Sequence, residues 1–196
     1  MTLAFDSLLK EIRACRICAG KLKHEPRPVL RASSTARLCI ASQAPGTRVH
    51  ASGMPFTDPS GDRLRDWLGT AKETFYDETR IAIVPMGFCF PGLDANGGDL
   101  PPRKECAPAW RERVFAQLPD LKLTLLVGSY AQAWHLKDKL KPTMTETVQS
   151  WRDYAPNFLP LPHPSWRNNG WIKKNPWFEA ELLPHLRRRV SRILNA

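Results

Sequence analysis

The stretch Lys122-Leu-Thr-Leu-Leu-Val-Gly-Ser-Tyr-Ala-Gln-Ala-Trp-His-Leu136 indicates the fold class. Its first half, Lys122–Val127, is a short apolar run typical of a buried strand, and Tyr130–Leu136 follows a Gly-Ser turn with helical spacing. A strand that passes through a turn into a helix is the beginning of a βαβ unit. We therefore expect a parallel sheet with helices packed against it.

The same alternation continues on both sides of this stretch. Further strand-like runs are Arg37–Ser42, Arg80–Pro85 and Asn157–Leu161. Helical spacing occurs at Asp62–Leu68, at Cys106–Leu118, at about Pro176–Leu194 and in the amphipathic stretch 1–15. The connection Phe90–Lys104 is polar and rich in Gly and Pro, so we expect no regular structure there. Together these patterns predict an α/β protein, a three-layer α/β/α fold around a central, mainly parallel four-stranded sheet, in a single domain over residues 1–196.

Composition limits the classes of function. The 196 residues are 42% hydrophobic and 24% charged, which suits one well-cored globular domain. A formal net charge of +10 favours polyanionic partners, although a basic, solvated surface would explain it equally well. No apolar run is long enough to span a bilayer, and the amino terminus lacks the layout of a secretory signal. We expect a cytoplasmic monomer without a membrane partner.

Several side chains suited to nucleic-acid binding follow the last strand-like run directly, in the segment His163-Pro-Ser-Trp-Arg-Asn-Asn-Gly-Trp171. Pro164 favours extended backbone at His163. In open α/β sheets, ligands bind in the loops at the carboxyl ends of strands. Imidazole, guanidinium, amide and indole groups on one such loop suit an anionic ligand that carries bases. The segment predicts nucleic-acid binding.

A second loop follows the first strand-like run. Gln43-Ala-Pro-Gly46 leads through Gly53 to Phe56 and Gly61. Small residues leave little steric bulk around the backbone, so its N–H groups can approach a planar ligand, and Phe56 offers a ring face. A strand followed by Pro-Gly is by itself more often an ordinary turn, and a lone Phe is more often a core residue.

The two loops together resemble the uracil-DNA glycosylase superfamily, in which an early Pro-Gly motif holds the base and a late His-Pro-Ser motif carries a histidine beside it. The resemblance extends from Cys15 to the final helix and is strongest to the bacterial and archaeal branch that contains the iron–sulfur family 4 enzymes. It implies that His163 donates a hydrogen bond to the departing base. The residues implied to hold that base are Gln43, Ala44, Pro45, Gly46 and Phe56. Those implied to contact DNA are Ser165, Arg167, Asn168 and Asn169, with Trp166 or Arg167 filling the gap in the helix. Trp171 and Trp177 could equally belong to the core.

Two departures from the family 4 pattern concern chemistry. Gln43 occupies the position of an acidic residue, so we expect His50, with Gln43, to position water or a phosphate. Asp58 lies nearby, but its place before Ser60 favours a helix cap. Pro85 occupies the position of the asparagine that reads the uracil edge, and proline has neither a side-chain donor nor an N–H.

Five cysteines, an odd number, argue against a disulfide framework. Cys39 lies within a strand-like run, as expected of a small buried residue. Cys15-Arg-Ile-Cys18, Cys89 and Cys106 could together hold a [4Fe–4S] cluster or a zinc ion, or bind no metal. The resemblance to family 4 favours a structural [4Fe–4S] cluster on these four residues.

The expected function is therefore excision of uracil from single- or double-stranded DNA by a monofunctional glycosylase, with other deaminated bases left open. A second possibility is a protein that binds DNA or abasic sites on the same scaffold without fast turnover. A phosphate-handling enzyme is weakly supported, because the chain has neither a GxGxxG nor a Walker lysine loop.

Overall fold

The computed structural model describes residues 3–195. Their strands are β1 (Leu38–Ala41), β2 (Ile81–Ile83), β3 (Leu123–Val127) and β4 (Phe158–Leu161). They form one four-stranded sheet in the order β2-β1-β3-β4, and every neighbouring pair is parallel. The predicted α/β class and the central parallel sheet are confirmed.

The α-helices of this region alternate with the strands. Their bounds are α1 (Leu3–Arg13), α2 (Thr47–Ser52), α3 (Pro59–Leu68), α4 (Lys72–Tyr76), α5 (Cys106–Phe115), α6 (Ser129–Leu136), α7 (Met144–Gln149), α8 (Asn169–Lys174) and α9 (Leu183–Asn195). Short 3₁₀ turns lie at Ala19–Lys21, Lys137–Lys139, Trp151–Tyr154 and Trp166–Asn168, and a π-helical turn, Phe178–Leu182, leads into α9. The expected helix at about Pro176–Leu194 is thus divided into a π-helical turn and an α-helix.

Alternate residues of the strands face two helical layers. On one face Leu38 and Ile40 of β1 pack in a cluster with buried residues of α3, α4, α7 and α9. On the other face Cys39, fully buried, packs with α1 and α5, while Ala41 packs with α6. Both faces are apolar because parallel strands are covered on both sides. Cys39 is therefore a core residue, as expected.

The strand-like runs of the sequence extend one or two residues beyond most of the observed strands. Arg37, Arg80 and Asn157 precede the paired residues, and Pro85 follows β2. The connection Phe90–Lys104 contains no helix or strand, as predicted. No helix within residues 3–195 is long and apolar enough to cross a bilayer. The single-domain prediction for 1–196 includes residues 1, 2 and 196, which lie outside the described residues.

Candidate active site

A polar pocket lies at the carboxyl-terminal edge of the sheet, where the loops after β1, β2 and β4 meet. Its lining residues are Val29, Ser42, Ala44, Pro45, Gly46, Val49, Pro55, Phe56, Asp58, Ser60, Pro85, Asp99 and His163. The pocket therefore brings together both loops that sequence analysis selected, Ala44–Phe56 and the loop of His163. Parallel strands place their carboxyl ends at one edge, which is why segments more than a hundred residues apart converge here.

The ends of β3 and β4 hold His163 in place. Gly128, with φ of +86°, follows β3, and its N–H donates to the carbonyl of Leu161 at 2.9 Å. A Cβ on Gly128 would lie 3.7 Å from the Cβ of His163, so the two residues are in close contact. The buried Gln132 also donates to the Leu161 carbonyl, at 2.9 Å, and Asn168 donates to the carbonyl of His163 at 2.6 Å. These bonds fix the backbone on both sides of the imidazole.

The electrostatic surroundings keep His163 neutral. Burial lowers the pKa of His163, the charge of Asp58 opposes that shift, and Arg167 adds to it. A pKa below the ordinary value of 6.5 leaves the imidazole uncharged at neutral pH. A neutral imidazole donates one hydrogen bond from its protonated nitrogen, which suits a carbonyl oxygen in the pocket.

Phe56 forms one wall of the pocket and belongs to the core at the same time. It is 7% exposed, and its ring meets that of Phe75 edge to face at 5.9 Å. Its backbone adopts φ of +57°, a left-handed conformation that is unusual for an aromatic residue. The hydroxyl of Tyr76 donates to the Phe56 carbonyl at 2.8 Å and holds this conformation. Phe56 is thus fixed by its neighbours with one side facing the pocket.

Two carboxylates line the pocket. Asp58 caps α3, as predicted: its Oδ1 accepts from the N–H groups of Ser60 at 3.0 Å and Gly61 at 3.2 Å. Asp99, from the Gly/Pro-rich connection, was missed by sequence analysis. Burial raises the pKa of Asp99, Arg167 opposes the shift, and Asp58 and Asp94 add to it. Asp99 therefore supplies a carboxylate that the motif at Gln43 lacks.

Gln43 and His50 do not line the pocket. The backbone carbonyl of Gln43 accepts from Gly87 at 2.9 Å. The His50 ring lies against the rings of His24, at 4.3 Å between centroids, and Phe90, at 5.7 Å. Burial lowers the pKa of His50, and His24 and Arg27 lower it further. His50 belongs to an aromatic cluster beside the pocket.

The segment after His163 is a 3₁₀ turn followed by α8, where the sequence suggested a loop. The Ser165 hydroxyl accepts from the N–H of Arg167 at 3.1 Å and so caps this turn. Trp166 is 72% exposed, and the guanidinium of Arg167, also exposed, lies 5.6 Å from the centre of its ring. Asn169 is exposed at the start of α8.

The two remaining indoles of this region belong to the fold. Trp171 and Trp177 are partly buried and pack against the main core cluster. The indole N–H of Trp171 donates to Thr145 at 2.8 Å. The exposed side chains of this segment that can meet a ligand therefore include Trp166, Arg167 and Asn169.

The four cysteines Cys15, Cys18, Cys89 and Cys106 line one cavity, together with Arg103 and Trp110 among others. Burial raises the pKa of Cys89 to about 11 and that of Cys106 to about 12, and it also raises the pKa of Cys18. The Cys106 sulfur accepts from the N–H of Phe88 at 3.3 Å. Within residues 3–195 no group of three or more His, Cys, Asp or Glu side chains is arranged to hold a metal ion. The four thiols, from three chain segments, are nevertheless of the ligand type that thiolate-bound centres use.

Comparison with known proteins identifies the family. The model of the "Uracil DNA glycosylase superfamily" matches residues 31–187, which include both pocket loops. The chain belongs to the uracil-DNA glycosylase superfamily. This membership supports a DNA glycosylase function, that is, hydrolysis of a bond between a base and its sugar.

Among solved structures, the chain is similar to a candidate uracil DNA glycosylase from Methanosarcina acetivorans, determined by solution NMR. The two are 14% identical, the TM-score is 0.47, and the match covers 81% of this chain and 93% of the other. The family assignment rests on the matched family model.

Proposed function

We propose that this superfamily member excises uracil from DNA as a monofunctional glycosylase, leaving an abasic site. The observation that carries the proposal is the presence of His163 and Asp99 in one pocket that is also lined by Ala44–Gly46 and Phe56. A base has to leave the helical stack before its glycosidic bond can be reached, and this pocket can receive it. Phe56 then stacks on the flipped base.

His163 stabilises the leaving group. Breaking the C–N bond leaves its electron pair on the base, and negative charge spreads to the carbonyl oxygens of the pyrimidine. The neutral imidazole donates a hydrogen bond to one of these oxygens, and that bond strengthens as the charge develops. Because the backbone around His163 is fixed by Gly128, Gln132 and Asn168, the donor needs little reorganisation.

Asp99 acts on the sugar side of the same bond. A water oxygen forms the new C–O bond at the anomeric carbon, and the Asp99 carboxylate accepts the proton that this water loses. The negative charge of Asp99 also stabilises positive charge on the sugar in the transition state. His163 and Asp99 carry the catalytic steps, whereas Gln43 and His50 take no part in them because neither lines the pocket.

The exposed side chains that follow His163 in the sequence bind the DNA. Arg167 and Asn169 contact phosphates, and the projecting Trp166 enters the space that the flipped base leaves, as apolar wedges do between base steps. Ser165 and Asn168 stabilise this loop, because both side chains form hydrogen bonds with its backbone.

The preference for uracil rests on backbone groups. Pro85 lines the pocket and offers the base edge no donor. The N–H and carbonyl groups of the Ala44–Gly46 loop then recognise the base edge. This observation also favours a second candidate function, binding of DNA or abasic sites with weak excision or altered base preference.

The deciding experiment is a glycosylase assay on uracil, hypoxanthine and xanthine in single- and double-stranded oligonucleotides. We expect abasic product from uracil, and a loss of about 10²–10³-fold in rate for His163→Ala, the effect of removing one oxyanion donor. His24→Ala, which removes an imidazole outside the pocket, is the matched control and should excise normally. Tight binding to an abasic duplex without any base release would favour the second function.

We further propose that the four-cysteine cavity holds a structural [4Fe–4S] cluster. Cys15 and Cys18 follow α1, Cys89 follows β2, and Cys106 begins α5, so a cluster would tie these segments together. When bound, it supplies cross-linking rather than base-excision chemistry. Anaerobically purified protein should contain iron and acid-labile sulfide and absorb in the visible range. Cys89→Ser should lose both signals, whereas Cys39→Ala, in the core, should retain them. Zinc without iron, or metal-free protein, would contradict the proposal.

A further inference from the structure

A basic surface lies at the edge of the sheet opposite the pocket. It is a groove of about 670 Å³ between the segment before β4 and the helical segment that ends the described chain. Its lining residues are Trp151, Arg152, Ala155, Pro156, Ala180, Glu181, Pro184, His185, Arg188, Arg189 and Arg192. We call it the arginine groove. Because β4 is parallel to its neighbours, the residues that precede it and the residues that follow it lie at opposite edges.

The arginine groove carries a large excess of positive charge. Four arginines line it, and Glu181 is the one carboxylate among its lining residues. Glu181 pairs with Arg152 at 3.1 Å, which leaves Arg188, Arg189 and Arg192 without an acidic partner in the groove. Burial lowers the pKa of His185, and all four arginines lower it further. All four arginines and His185 line the same groove.

The floor of the groove is rigid. Trp151 is 5% exposed, and its ring lies 4.3 Å from that of His185 and 4.1 Å from the guanidinium of Arg152. Arg189 donates to the backbone carbonyl of Pro156. Arg188 and Arg192, one turn apart on α9, are exposed. Two exposed guanidinium groups that form no ion pair with residues 3–195 therefore lie beside this fixed floor.

We propose that the arginine groove binds the phosphodiester backbone of a second DNA segment, distinct from the segment that delivers a base to the pocket. Guanidinium groups match the geometry of phosphate oxygens, and phosphate contacts need no particular base sequence. The pocket and the groove lie at opposite edges of the sheet, so one straight duplex does not fill both.

The chemistry of the groove favours a nucleic acid over a membrane or an apolar protein surface. Large exposed hydrophobic residues among residues 3–195 are Leu3, Ile17, Leu93, Tyr130, Leu140 and Trp166, and none lines the groove. The apolar side of α9, including Leu186 and Val190, is buried in the core. Because no large exposed apolar side chain lines the groove, its binding rests on charge, and its concave shape suits a DNA strand.

The test is the affinity of the double variant Arg188→Ala/Arg192→Ala for undamaged DNA, measured by fluorescence anisotropy over a series of salt concentrations. Each lost phosphate contact reduces the slope of log K against log salt by about 0.9, so we expect a reduction of about 1.8 together with weaker binding. The matched control is Lys10→Ala/Arg13→Ala, which removes the same charge from exposed positions on α1 in the other helical layer.

The outcomes separate the groove from the proposed catalytic function. Excision under single-turnover conditions from a saturating, short uracil oligonucleotide should be unchanged in the groove variant. Because the binding assay uses undamaged DNA, its result stands even if the parent protein releases no base. Equal weakening in the α1 control would indicate general charge rather than a site and would overturn the proposal. Unchanged DNA binding, or loss of binding only to anionic lipid vesicles, would also overturn it.

Discussion

The carboxylate of Asp99 faces the α-carbon of Gly46: a Cβ placed on Gly46 would lie 3.4 Å from Oδ2 of Asp99. The two residues come from different loops, one after β1 and the other in the irregular connection after β2. A Cβ at Gly46 would thus make ordinary van der Waals contact with Asp99, so the two loops meet at this point of the pocket. The carboxylate that is absent at Gln43 is therefore present on the loop that faces Gly46 across the pocket.

Asp99→Asn should slow excision by about 10²–10⁴-fold, the usual contribution of a general base. Burial raises the pKa of Asp99, and only the carboxylate can accept a proton, so the parent rate should fall as the pH drops through this raised pKa. The variant should lack that acidic limb in its pH–rate profile. Asp94→Asn, in the same connection but outside the pocket lining, retains an acceptor for the N–H groups of Asn96 and Gly98 and is the control.

The same substitution should stabilise the protein at neutral pH. A carboxyl group whose pKa is raised by folding favours the folded state at low pH, and this contribution is lost as the pH rises through the folded-state pKa. Asp99→Asn removes the cost of ionising a carboxyl group whose pKa is raised in the folded protein, so the midpoint of thermal unfolding at pH 7 should rise while the rate falls. A lower midpoint would contradict the assignment of Asp99 as a functional rather than a structural residue.

Gly61→Ala should destabilise the protein and distort the pocket. An added Cβ would lie 1.9 Å from the Phe56 carbonyl oxygen, a backbone atom that Tyr76 already holds. We expect a loss of about 1–3 kcal/mol in the free energy of unfolding, typical of overpacking, measured by urea denaturation. Gly170→Ala, in α8, meets no atom within 4 Å and should be neutral or slightly stabilising. Equal stability of the two variants would disprove the close approach.

Trp166→Ala should weaken DNA binding without changing thermal stability, because the side chain is 72% exposed. Trp171→Ala should mainly lower stability. It removes the hydrogen bond to Thr145 and an edge contact with Phe178, at 5.5 Å between ring centroids, and should cost about 3 kcal/mol in the free energy of unfolding. Melting curves and duplex affinity, measured on both variants, distinguish the two tryptophans. A large drop in melting temperature for Trp166→Ala would argue against its role as a wedge.

Arg111→Met should destabilise the end of β2. This buried arginine donates to the carbonyls of Val84 at 3.3 Å and Pro85 at 3.0 Å, and to His135 at 2.8 Å. Burial, followed by the charge of Arg111, lowers the pKa of His135 to about 3, so the imidazole is neutral and accepts this bond. Leaving buried carbonyls without donors costs about 1–3 kcal/mol. Arg111→Lys, which keeps a donor, should lose less in chemical denaturation; equal losses would assign the effect to packing.

Much of the fold was predictable because its signals are local. The apolar runs marked the four strands, and alternation with helices indicated a parallel sheet, since each run needs cover on both faces. The strand ends were less accurate: Arg37 and Asn157 belong to the strand-like runs, but the paired residues begin one position later, at Leu38 and Phe158. In the same way, the Asp58 cap followed from its place before Ser60, because capping involves neighbours in sequence.

The sequence by itself determined where the four strands lie, which four cysteines are candidate ligands, and which two loops carry His163 and Phe56. Periodicity and short motifs are properties of neighbouring residues, so they can be read from the sequence. Only the tertiary structure decided which side chains share the pocket. Gln43 and His50 lie within the first motif yet outside the pocket lining, whereas Asp99 enters it from a connection without periodicity. The path of an irregular connection depends on packing between distant segments, and no local pattern records it.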